Sequence, residues 1–377
     1  MSGFPKALFR FFASTGLSVA LLFLLMLLTF LGTLAQVDRG LYAAQREYFG
    51  SLFLVHRLFG VFPVPLPGAY LLLTLVFINV VCGGLVQVRK GWKQAGVLIA
   101  HVGILLLLAG GFVTFKFSLE GHLSLYEGEA ANTFQSSRAW ELAIGRANAD
   151  GSATEHVVPE TDFADLGGAK ARTFFTQGVP FEITASGYVQ NARQGAQGAP
   201  LETLPPADEA AENIPGVCVS VAAPGAGTVH QAVLWGLSPS PWTVPLDQGA
   251  WTIQLRRRTW PLPFTVRLDK FTRELHPGTQ IPKVFMSEVT QIEGDSEQAF
   301  RIAMNEPLRR AGYAFYQASW GPPDAGPNDA LFSSLAVAWN PADQVPLYGS
   351  TVICFGLLVH FLVKLAGYLK AESKARP

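Results

Sequence analysis

The sequence predicts an α + β membrane protein, with four transmembrane helices and a large extracytoplasmic β-rich, sandwich-like domain inserted between the third and fourth. Three observations lead there. Four long apolar stretches carry almost no charge, basic residues gather at alternate ends of those stretches, and residues 117–343 alternate apolar and polar side chains with a period of two. The chain has 377 residues, 49% of them hydrophobic, with basic and acidic side chains in equal number, which suits a membrane protein with one sizeable water-soluble portion. Basic residues cluster only beside apolar segments, so no nucleic-acid partner is expected. Cys82, Cys218 and Cys354 form no CxxC, CxxCH or paired zinc spacing, which argues against a thiol oxidoreductase and against covalently attached haem.

The membrane region is expected over residues 1–116. After Lys6 and Arg10 no charge occurs until Asp38, and LSVALLFLLMLLTFLGTLA within that gap reads as a first span, about residues 13–36. A cleaved signal peptide has similar flanks but a shorter apolar core, so an uncleaved helix is expected. Leu41, Ala44, Tyr48, Leu52, Val55 and Phe59 then fall at helical spacing among charges, which predicts an interfacial helix over about 40–60, with His56 as a solvated residue near its end. Pro63, Pro65 and Pro67 break that pattern. A second span follows over about 69–87, then a turn from Gln87 to Lys93 too short for anything else, then a third span over about 94–115. The fourth span, about 345–364, leads into a short basic tail. Lys6 and Arg10, then Arg89, Lys90 and Lys93, then Lys364, Lys370, Lys374 and Arg376 all fall on one side of four spans. The positive-inside rule makes that side the cytoplasm and puts the insertion outside, as in a multi-pass protein of a bacterial inner membrane.

The insertion reads as strands. Trp251, Ile253 and Leu255 alternate with polar residues, as do Phe264, Val266 and Leu268, and Phe300, Ile302 and Met304. Further candidates are Trp140 to Ile144, Phe181 to Ala185, Val217 to Val221, Ala314 to Ala318 and Leu335 to Trp339. Residues 147–153 and 190–213 are polar and rich in turn formers, so they read as exposed loops. His122, His156, His230 and His276 lie in this part, but no HExxH, GxSxG or catalytic carboxylate pair accompanies them.

Chemistry is expected inside the membrane. His101 is the only ionisable side chain between Lys93 and Lys116, and an imidazole out of reach of water needs a partner for its ring nitrogens. One reading makes that partner a metal centre, with neutral imidazole as axial ligand to haem iron. The other makes it a Ser, Thr or Asn on a neighbouring helix. His360 precedes Lys364 by one helical turn and falls in the same leaflet, so the two histidines could clamp one haem, or either could pair with a histidine of a partner. Interfacial water could equally satisfy His360. Asn79, Thr29 and Thr114 are isolated among apolar residues, which does not suit a polar transport path.

Several stretches resemble the ResB family, also called CcsB, of the System II cytochrome c maturation machinery. They are LGTLAQ in span one, NVVCGGLVQVRK at the end of span two, AHVGILLLLAGG in span three, FTVRLDKF and HPGTQIPKVFMSEV in the insertion, and MNEPLRRAGYAFYQASW followed by SSLAVAWNPADQVPLYGS before span four. The resemblance implies an accessory, non-catalytic subunit of a haem transport and cytochrome c haem-ligation complex, with a ResC/CcsA-like membrane partner and apocytochrome c carrying CxxCH as substrate. It implies that His101 is an axial ligand to haem b held in the bilayer, the second ligand coming from the partner, with His360 a secondary candidate. The tryptophan-rich WWD segment of the partner has no counterpart in this sequence, so ligation by this chain alone is not expected. The alternative is a membrane-anchored scaffold or receptor domain without a cofactor.

Overall fold

The computed structural model describes residues 3–58, 60–147, 153–195, 201–207, 209–222, 229–246, 249–279, 282–322 and 329–375. The chain divides into two units, one of residues 1–118 and 340–377 and the other of residues 119–339.

The first unit contains α1 (Gly3–Phe12), α2 (Thr15–Ala44), α3 (Ala69–Asn79), α4 (Ala95–Phe117) and α5 (Val345–Ala375). Four helical stretches, Thr15–Phe49, Ala69–Gln87, Trp92–Phe117 and Val345–Ser373, are long and apolar enough to cross a membrane. Ser14 caps α2 by accepting from the Gly16 N–H at 3.2 Å. Gly40 interrupts α2 with φ 77°, a conformation that a glycine adopts without steric cost. The chain then doubles back. A Cβ at Gly32 would stand 3.0 Å from the Phe49 ring, so the residues after the kink return to the level of Gly32. The helix α3 continues as a π-helix over Val80–Gln87. At the end of the chain, α5 persists to Ala375 rather than stopping near residue 364, because good helix formers such as Leu365, Leu369 and Lys370 continue past the apolar span.

The expected interfacial helix over 40–60 is not formed. Helical structure ends with a π turn at Gln45–Phe49, and a two-stranded antiparallel hairpin follows, β1 (Phe53–Leu58) and β2 (Phe62–Pro67). The three prolines that looked like helix breakers sit at every second position of β2, where a missing N–H costs no ladder bond. Phe59 lies outside the described residues.

Helices α4 and α5 pack closely through small residues. A Cβ at Gly103 would stand 2.9 Å from the Gly349 carbonyl oxygen, and one at Gly356 would stand 2.8 Å from that of Gly96. Between helices in lipid no hydrophobic drive operates, so glycines that let backbones touch take over. Asn79 ties the start of the π segment to the chain between α1 and α2. It accepts from Ser18 Oγ at 2.7 Å and donates to the carbonyls of Phe12 and Ser14 at 2.7 and 3.2 Å.

The second unit is antiparallel β. Its strands are β3 (Leu119–Tyr126), β4 (Ala130–Ala147), β5 (Ala153–Pro159), β6 (Ala171–Phe174), β7 (Glu182–Val189), β8 (Ala192–Arg193), β9 (Glu202–Thr203), β10 (Gly216–Ala222), β11 (Val229–Trp235) and β12 (Trp242–Leu246). They continue with β13 (Gly249–Leu275), β14 (Pro282–Glu293), β15 (Ser296–Ala303), β16 (Leu308–Arg310), β17 (Tyr313–Gly321) and β18 (Phe332–Trp339). Two long strands, β4 and β13, run through both of its cores. One core is a sandwich, in which the ends of β4 and β13 around Leu142, Ile144, Trp251 and Ile253 face the sheet β11-β10-β7-β6 across Ile183, Val219 and Val221. The other lies inside a sheet ordered β15-β14-β13-β4-β3-β18-β17-β16 that curls upon itself, with Ser287 of β14 hydrogen-bonded to Gln317 of β17 and Ser333 of β18 at 2.7 and 2.8 Å. The alternating runs at Trp251 and Phe264 are thus one strand. Its register slips between Pro261 and Val266, where the prolines cannot donate. The turn-rich stretch at 190–213 contains the short pair β8 and β9, while residues 148–152, 196–200 and 208 lie outside the described residues.

Candidate functional site

His101 lies six residues into α4, about 9 Å from its start by helical rise. Its Nδ1 lies 2.8 Å from the carbonyl oxygen of Val97, one turn earlier. A carbonyl can only accept, so Nδ1 carries the proton, and in the neutral ring Nε2 keeps a free lone pair. That is His101's one hydrogen bond among the described residues. Its ring lies against Gly84 in the π segment, where a Cβ would overlap the ring and stand 3.0 Å from Nε2. A Cβ on the preceding Gly83 would stand 3.0 Å from the Ala13 carbonyl oxygen. The glycine pair therefore lets one helix touch the imidazole on one face and the α1–α2 junction on the next.

His360 sits on α5 with its backbone against Gly96, and its Nδ1 is buried with no hydrogen-bond partner. The two histidines do not converge on one face. Gly96 and His101 are five residues apart on α4, about 140° around its axis and roughly 7.5 Å along it, so the helix meets His360 and displays His101 in different directions. Among the described residues no group of three His, Cys, Asp or Glu side chains could hold a metal ion.

Outside the spans, His56 lies on β1, and its Nδ1 is 2.6 Å from the hydroxyl of Tyr48, which is itself only 1% exposed. In the β unit, His122 Nδ1 is 2.6 Å from Ser137 Oγ, and burial pushes its pKa below the ordinary histidine value. The adjacent Glu120 is paired with Arg138 at 3.0 Å, which leaves this pair without an orienting carboxylate. Glu141 is buried and its pKa is raised by that burial, opposed by Arg256, whose guanidinium reaches Glu141 at 3.0 Å and Glu155 at 2.6 Å. Arg257 stacks 4.0 Å over the Trp140 ring. These are structural arrangements holding β4, β5 and β13 together. Sequence reasoning missed Gly84 and the Asn79 cluster. The glycine pair in NVVCGGLVQ signals a close approach, but not to what.

Four apolar helices with a large β unit between the third and fourth define the class, a multi-pass membrane protein with one folded insertion. Residues 242–329 match the ResB-like family, a stretch from β12 to just past β17 that contains three of the segments quoted above. The chain is also similar to the "Protein NrfI" of Wolinella succinogenes, with 22% identity over 271 residues, 70% of this chain and 27% of that protein. It spans only about a quarter of the length of that curated relative. The two matches bear out the ResB/CcsB resemblance read from the sequence.

Proposed function

We propose that the chain is an accessory subunit in cytochrome c biogenesis, working in a bacterial inner membrane beside a ResC/CcsA-like subunit and holding haem b within the bilayer through His101. The observation that carries this reading is the state of one nitrogen. With Nδ1–H donated to Val97, the Nε2 lone pair is unclaimed, and a histidine that ligates iron commonly gives its other ring proton to a backbone carbonyl in this way. A histidine kept to brace helices would instead bond to a neighbouring helix, as Asn79 does. Bound haem would supply an iron that accepts an axial nitrogen. This chain would orient the imidazole through Val97 and Gly84 and surround it with apolar helices that exclude water. The second axial ligand is assigned to the partner. His360 is kept as a secondary candidate, since its buried Nδ1 lacks a partner but lies on another face. With the basic ends cytoplasmic, the β unit stands outside the membrane, where it would position apocytochrome c carrying CxxCH near emerging haem.

The test is absorption of the chain purified with its co-expressed partner. A His101→Ala variant should lose the haem absorption of the bilayer site, and added imidazole should restore part of it. Gly84→Ala, which pushes into the ring without removing it, should weaken haem retention by about tenfold, the scale of orienting contacts around metal ligands. Unchanged haem content in His101→Ala defeats the proposal.

A further inference from the structure

We propose that the β1–β2 hairpin is an in-plane membrane anchor, whose outward face lies in the boundary between lipid headgroups and acyl chains. Both ends of the hairpin join helices that are apolar enough to span a membrane. One of its faces is packed at the depth of those helices. Leu54 is buried in a cluster with Leu28 of α2 and Leu72 of α3, and its cross-strand neighbour Leu66 packs against the same cluster. Strand side chains alternate, so the residues next to Leu54 and Leu66 lie at nearly the same depth and point away from the helices.

Those residues are apolar and exposed. Phe53 and Val55 are 73% and 56% exposed and stand opposite Pro67 and Pro65, and at the turn Val61 is 71% exposed. Arg57, opposite Pro63, is the one charged side chain on this face and can reach upward to headgroup phosphate. The prolines bar a partner strand from the β2 edge. Because proline cannot donate to the ladder, Pro63, Pro65 and Pro67 turn their nitrogens to the free edge of β2, and that edge lacks the N–H groups another strand would need. The same loss lowers the cost of bringing the edge toward hydrocarbon, where an unsatisfied N–H is penalised by several kcal/mol.

The experiment uses the full-length chain in nanodiscs of phosphatidylethanolamine and phosphatidylglycerol, with Cys82, Cys218 and Cys354 replaced by alanine. A nitroxide is attached in turn at Phe53→Cys, Val55→Cys and, as a solvent reference, Glu297→Cys on β15. Collision with oxygen, which concentrates in lipid, is compared with collision with a water-soluble nickel complex. The oxygen-to-nickel ratio at 53 and 55 should be several-fold that at 297. A ratio equal to that at 297 places the hairpin in water, and labels reached by neither quencher place it under protein. Either result overturns the proposal. Two positions are labelled so that a folding defect at one does not decide the matter, and haem plays no part in the readout.

Discussion

The helices α4 and α5 of the membrane unit and the two cores of the β unit are held together by different means. In the β unit the largest fully buried side chains include Trp251, Phe134, Phe163 and Phe315, and the two cores are filled by bulk. In the membrane unit the helix contacts of α4 with α5, and of His101 with the π segment, are made where side chains are missing, at Gly84, Gly96, Gly103, Gly349 and Gly356. The solvent explains the difference. In water, removing apolar area is itself stabilising, at roughly 25 cal/mol per Å². In lipid that drive vanishes between helices, and close packing and hydrogen bonds remain. The buried carboxylate of Glu141 is answered by Arg256, whereas Nε2 of His101 makes no hydrogen bond among the described residues.

The comparison can be broken most sharply in the β unit. Trp251 is 2% exposed and meets Phe181 edge to face at 5.3 Å, so Trp251→Ala should cost about 4 kcal/mol. A shift in thermal unfolding of the full-length protein too small for that loss would show that bulk does not hold the sandwich. Next comes Arg256→Met, which leaves Glu141 buried without its cation and should cost about 3 kcal/mol. The sign of its pH dependence is set by the raised pKa of Glu141. Without Arg256 that pKa rises further, the native state keeps a proton that the unfolded chain releases, and stability falls as pH rises above the ordinary carboxylate range. Denaturant titrations of the variant at acid and neutral pH should diverge accordingly, and parallel titrations would contradict the assignment. The smallest effects belong to the helices. Gly103→Val meets the α5 backbone and should cost about 2 kcal/mol, while Gly111→Ala, whose Cβ would face open space, should change stability by less than about 0.5 kcal/mol. Equal effects at the two glycines would remove the argument for backbone contact between α4 and α5.

Much of this architecture was legible from residue pattern. Charge-free runs marked the four spans because few other environments accept some twenty apolar residues in a row, and alternation marked most of the strands. The hairpin was misread as a helix because Leu41, Ala44, Tyr48, Leu52 and Val55 fit a period of 3.6. Yet Phe62, Val64 and Leu66 alternating with Pro63, Pro65 and Pro67 carry a period of two, which was the better signal. The continuity of β13 was hidden by Pro261 and Pro263, which read as a break and act as a slip in register. Glycines seven apart at Gly96, Gly103 and Gly110, and again at Gly349 and Gly356, announce a helix contact without naming which helices meet.

Composition and periodicity by themselves determined that this chain crosses a membrane with helices, builds a β insertion between the last two, and keeps an imidazole among apolar neighbours in the third span. Tertiary structure alone decided which helix lies against that imidazole, which ring nitrogen is spoken for, and that Glu141 finds Arg256. Spans and strands follow from local free energies of transfer, which a short window of residues contains. Pairings between residues far apart in the chain depend on how the whole chain closes, and no local window holds that information.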